Sequence, residues 1–86
     1  MYERIDEQVS VVAIFRDTNP PVSIGAVRWG NRWRTITKTA YVYKYKEGET
    51  LIYSIAVTDG VNFYEVLLDT KKLVFTLGRV QLNESH

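Results

Sequence analysis

Eighty-six residues, 13% of them aromatic, allow one domain with a real core and exclude two. There is no cysteine and the single histidine is the last residue, His86, so disulfides are excluded and neither a metal site nor a cofactor is expected. Eleven Lys and Arg offset ten Asp and Glu, yet six of the eleven lie between Arg28 and Lys46, a stretch with no acidic residue, leaving five basic against ten acidic residues elsewhere.

Residues 1–8 are polar apart from Met1 and Ile5 and read as a lead-in that frays. Residues 9–15, VSVVAIF, are β-branched and aromatic, the composition of a first strand. Val9, Val11, Ala13 and Phe15 fall on one face and Val12 and Ile14 on the other, which suits a strand buried on both sides or one that bends between two parts of a barrel. Asn19-Pro20-Pro21 then forces a loop, because proline lacks an amide donor and moves its predecessor out of the helical region.

The second strand spans 22–29, with Gly25 marking a bulge or a close backbone approach. Gly30 and Asn31 both tolerate positive φ, as a two-residue hairpin turn requires. One long strand follows over 32–46. Alternation sets Trp33 and Tyr41, Tyr43 and Tyr45 on one face, and Arg34, Lys38 and Lys44 on the other. Its length exceeds the usual 3–10 residues, so a bend or bulge is expected near 37–40.

Glu47-Gly48-Glu49 turns the chain into a fourth strand, 51–58. Asp59-Gly60 fits a two-residue hairpin turn into a fifth strand over 61–68. A polar turn at 69–72 leads to the last strand, 73–82, and 83–86 form a tail. No segment holds a helical period over ten residues. The expectation is a single all-β domain over residues 1–86, a small barrel or strongly curved antiparallel meander of roughly six strands.

Three pieces of the chain, Arg28-Trp29-Gly30-Asn31-Arg32-Trp33-Arg34, Tyr64-Glu65-Val66 and Phe75-Thr76-Leu77-Gly78-Arg79-Val80, occur in an order that resembles a family of small uncharacterised bacterial all-β domains. The likeness runs from Val9 to Val80. It implies the fold and brings no activity, cofactor or partner with it.

Chemistry has little to stand on. No base accompanies a nucleophile, and Asp59 and Asp69 are residues that turns ordinarily use. Glu65, on a strand, is expected to pair with a cross-strand Lys or Arg. Non-enzymatic binding is therefore the expectation. A positive groove with aromatic faces binds single-stranded nucleic acid, and Arg28, Trp29, Arg32, Trp33, Arg34, Lys38, Tyr41 and Tyr43 supply both residue types. The structural alternative places Trp29 and Trp33 in the core. The other binding class is a protein partner, or the chain itself, engaged through an exposed tyrosine face. No run approaches the roughly 20 apolar residues of a membrane span, nor does a signal peptide open the chain, so a cytoplasmic location is expected.

Overall fold

The computed structural model describes residues 2–83. Among these described residues the fold is all-β, with seven strands and no helix: β1 (Tyr2–Phe15), β2 (Val22–Trp29), β3 (Arg32–Thr35), β4 (Lys38–Glu47), β5 (Thr50–Thr58), β6 (Phe63–Asp69) and β7 (Val74–Gln81). They form one antiparallel sheet in the order β3-β2-β1-β7-β6-β5-β4, curled into a half-barrel. His86 and the rest of 84–86 lie outside the described residues.

The curl is made by two strands that change partner. In β1, residues 2–9 pair with β7 and residues 10–15 pair with β2. The long strand expected over 32–46 breaks at Ile36 and Thr37. The Ile36 amide donates to the Gly25 carbonyl (2.9 Å) on β2, and the next amide, Thr37, donates to the Thr58 carbonyl (2.9 Å) on β5. Residues before the break thus belong to one side of the sheet and residues after it to the other. The Ile24 amide also donates to Thr39 Oγ1 (3.2 Å), so β2 and β4 are stitched together at this end.

Bulges add to the curvature, because an extra residue on one strand bends it and increases its twist. Gly25 is the extra residue of β2 against β1, Ala40 of β4 against β5, and Gly78 of β7 against β6. A Cβ at Gly78 would sit 3.0 Å from Glu65 Oε1 and 3.3 Å from Leu67 Cδ1, so a side chain there requires these neighbours to shift by a few tenths of an ångström.

Residues directly opposite one another share a face, which sorts every side chain. The inner rows are Thr39–Val57–Tyr64–Val80, Val42–Ile55–Val66–Leu77 and Lys44–Tyr53–Leu68–Phe75–Val9. Against them pack Val22, Ile24, Val27 and Ile36 from the other side of the curl, forming one core. Val27, Ile55, Val57, Val66, Leu77 and Val80 have no exposed surface. Burying each such side chain stabilises the fold by about 1.5–3 kcal/mol before the entropy of ordering it is counted.

Four sequence expectations are corrected. Residues 2–8 do not form a lead-in but the first half of β1, held by the ladder to β7 although most of their side chains are polar and exposed. Phe15 is not buried: it keeps the face of Val11 and Ala13, opposite buried Val22, but at the strand's end its side chain is exposed. Asp59 and Gly60 do not make a two-residue turn. Thr58 pairs with Phe63 across a four-residue loop, because the Asp59 carboxylate accepts the amides of Val61 (2.9 Å) and Asn62 (2.7 Å) and so holds a wider bend. Leu73 is not yet strand; it closes the preceding turn with φ +58° and donates its amide to the Asp69 carbonyl. The turn at Gly30 and Asn31 has the positive φ expected at both residues, +62° and +60°.

Candidate functional site

The basic-aromatic stretch does not form one surface. In the β2–β3 hairpin, Val27 opposes Arg34 and Trp29 opposes Arg32 on the inner side, while Arg28 opposes Trp33 on the outer side. Trp29 is half-buried; its ring meets Tyr64 edge-on at 6.3 Å, and the Arg34 guanidinium lies over it at 5.0 Å. Arg34 Nε is buried and meets no acceptor among the described residues. A cation held against an indole is a defined attraction of about 0.5–2 kcal/mol, and here it fixes Arg34 inside the curl rather than presenting it to a ligand.

Below Trp29 the contacts continue. The Tyr64 hydroxyl donates to Asp59 Oδ2 (2.7 Å). Burial would raise the Asp59 pKa, but hydrogen bonds from the Asn62 amide, the Tyr64 hydroxyl and the Val61 amide outweigh it, and the carboxyl is held below its ordinary value. Tyr64 is pushed the other way, first by burial and then by its bond to Asp59. Arg34, Trp29, Tyr64 and Asp59 are therefore an internal brace between hairpin, core and loop.

Trp33 has the opposite fate. It is 53% exposed, beside exposed Arg28, on the outside of the hairpin. The core reading thus holds for Trp29 and fails for Trp33, because a two-residue turn makes the strand-end pair Trp29–Arg32 face inward and sends the next pair outward. Arg32 is exposed at the strand end, and Lys38 is exposed beyond the break, opposite Thr58.

The tyrosines make a second surface. Tyr41, Tyr43 and Tyr45 stand in one outer row of β4, 62%, 44% and 37% exposed, with ring centroids 5.5 and 6.1 Å apart in tilted contact. The bulge at Ala40 separates this row from Thr39, which faces inward opposite Val57. The tyrosines' neighbours are Ala56, Ser54 and Ile52 of β5, whereas Tyr53 and Leu51 oppose Lys44 and Lys46 on the inner side. Ile52 and Ser54 are buried although they face outward. Next to them Glu65 is gripped by Arg79 through two hydrogen bonds (3.0 and 3.2 Å), the cross-strand pairing expected of it, and Arg79 also lies 5.2 Å from the Tyr2 ring. Burial raises the Tyr45 pKa, followed by the charges of Glu47, Tyr43 and Glu65.

Three further features escaped the sequence. Lys44 and Lys46 belong with Tyr53 and Leu51 on the inner face of the β4–β5 hairpin, beyond the core. Pro20 and Pro21 face β4 across a cleft of about 340 Å³ that Val42, Tyr43, Lys44 and Tyr53 also line. A second cleft of about 280 Å³ continues it along Thr39–Val42. The Pro-Pro pair marked a loop, but nothing local showed that the loop would lie against β4. Among the described residues no three His, Cys, Asp or Glu side chains gather as metal ligands, and no helix is long and apolar enough to cross a membrane. No family model, curated protein or solved structure matches the chain, so the fold described above carries the argument alone.

Proposed function

We propose that the chain is a non-enzymatic binding module that engages another protein through the β4–β5 hairpin, with the tyrosine row as its contact face. The observation that supports this is the row itself: three neighbouring tyrosines, in tilted ring contact and exposed, on a strand at the end of the sheet. Tyrosine is enriched at interfaces because it offers a large rigid surface with a polar tip. An amphipathic face of this kind stays soluble when free and still gains apolar contact when covered.

The test is selection of protein-binding peptides from a displayed library on the wild-type chain and on a Tyr41→Lys/Tyr43→Lys variant. Binders that are retained by the wild type and lost by the variant support the reading, given matching circular dichroism for the two. Binders indifferent to both substitutions, or none at all, overturn it. Sedimentation of the wild type at micromolar concentration distinguishes a second copy as the partner from a different protein.

A second reading is favoured by one observation, the exposed Arg28 and Trp33 lying side by side with Arg32 at the same tip. A stacking ring next to cations is the minimum for single-stranded nucleic acid. Trp29 and Arg34 are withdrawn from it by the internal brace, which reduces the eight residues the sequence suggested to a small patch. A salt series with a single-stranded oligonucleotide, on wild type and Trp33→Ala, tests it: phosphate contacts give a log–log slope of about 0.7 each.

A further inference from the structure

We propose that the outer edge of β4, along residues 43–47, takes up an extended acidic segment of a partner protein as an added strand. The inference rests on the protein-binding reading above and supplies the partner's chemistry and mode of contact.

The edge is the first argument. β4 ends the strand order, pairing with β5 on one side. Its only link to β2 is near Thr39, where the Ile24 amide meets the threonine hydroxyl. Past that point, among the described residues, β4 has no strand on its second side, so alternate amides and carbonyls are left for water. Such an edge is a template for another strand.

The loop that faces the edge cannot fill that role. Pro20 and Pro21 form the opposite wall of the clefts along β4, and proline has no amide hydrogen to give to a ladder. Between that loop and the start of this edge lies a cleft of about 340 Å³, lined on the β4–β5 side by Val42, Tyr43, Lys44 and Tyr53.

Charge selects what enters. On the inner side of the edge stand Lys44 and Lys46, opposite Tyr53 and Leu51, and no carboxylate among the described residues comes within 4.0 Å of either ammonium. Glu47 lies on the other side of the strand, in line with the tyrosines. A strand added here presents one set of alternate residues to two lysines and the other set to Tyr43 and Tyr45. The complement is acidic residues alternating with apolar or aromatic ones. A second copy fits poorly. Two β4 edges paired antiparallel about Tyr45 would set each Lys44 opposite a Lys46, and like charges directly opposite destabilise a ladder. Nucleic acid fits poorly as well, since its sugar-phosphate backbone supplies acceptors for the edge amides but no regular donors for the carbonyls.

The experiment is selection of random 12-residue peptides displayed on phage against the full chain, followed by binding of the enriched peptides to wild type, Lys44→Glu/Lys46→Glu and Tyr41→Lys/Tyr43→Lys. Both lysines are exposed, and matching melting curves verify the first variant's fold. The expected result is enrichment of acidic-apolar alternation. Affinity should fall at least tenfold in the lysine variant and on placing proline inside the peptide, with amide exchange slowed at residues 43–47. Peptides that depend on the tyrosines but ignore the lysines and tolerate proline overturn strand addition and leave the protein-binding reading standing. Failure to enrich any peptide sinks both. A single-stranded oligonucleotide bound by the wild type and lost in the lysine variant assigns the lysines to phosphate and also overturns the proposal.

Discussion

In the β2–β3 hairpin, aromatic and basic side chains are divided between the faces, with Trp29 and Arg34 inward and Arg28 and Trp33 outward. Along β4 they are sorted by kind, with Tyr41, Tyr43 and Tyr45 outward and Lys44 and Lys46 inward, where Tyr53 of β5 lies opposite Lys44. The difference is one of depth. The inner side of β2–β3 lies over Tyr64 and the core, so an arginine there must find an aromatic face to lie on. The β4–β5 hairpin overruns the core, so its inner lysines reach water and its outer tyrosines need only one another. Similar composition gives a brace in one place and an exposed aromatic row in the other.

The strongest way to break this comparison is to truncate the two tryptophans. Trp29→Ala should cost about 3 kcal/mol, the low end for a large core aromatic because it is only half-buried. Trp33→Ala should stay within about 0.5 kcal/mol, as an exposed position. Denaturant unfolding of both decides it; equal losses would erase the distinction between the faces. Arg34→Met keeps the apolar stem and removes the cation, and is expected to cost about 1 kcal/mol. Arg28→Met should leave the midpoint unchanged.

Tyr43→Lys sharpens the other side. Neighbouring aromatic pairs contribute about 0.2–1 kcal/mol each, so the variant should remain folded, within about 1 kcal/mol of wild type, while losing its binders. A variant that unfolds would make the tyrosine row a structural cover over Ile52 and Ser54 instead of a contact face.

The brace also has a pH signature. Asp59 is held below its ordinary value when folded, and its unfolded value is about 3.9. Its contribution is therefore fully present above that value and is lost as the pH falls through the lower, folded one. Melting temperatures measured from neutral to acid pH should fall less steeply for Asp59→Asn than for wild type. Parallel curves would show that Tyr64 and the loop amides do not favour the charged carboxylate. Smallest of all, Leu73→Gly should raise stability by up to about 1 kcal/mol by relieving a left-handed leucine, net of glycine's entropy.

Much of this fold was legible because its signals are local. The span of β2, the positive-φ turn at Gly30 and Asn31, the bulge at Gly25 and the bend in the long third strand each follow from a few adjacent residues. What escaped depended on partners distant in sequence. Polar residues 2–8 become strand only because β7, more than sixty positions later, pairs with them. Trp29 and Trp33 are four apart and equally aromatic; the two-residue turn sends them to opposite faces, and which face would meet Tyr64 and the core depended on distant strands. The eight-residue site dissolved for the same reason: periodicity assigns a face, but not what lies beyond it.

The partner change within β1 has a consequence for synthesis. Residues 10–15 pair with β2, available about a dozen residues later, whereas residues 2–9 wait for β7. Of the strands described, β1 precedes all others in sequence and is the last to be completed. During synthesis its N-terminal half stays unpaired until β7 has emerged, and its scarcity of apolar side chains protects it meanwhile. Ile5 and Val9 are the only aliphatic residues between Tyr2 and Val9, and that spareness suits a segment that must remain soluble while it waits.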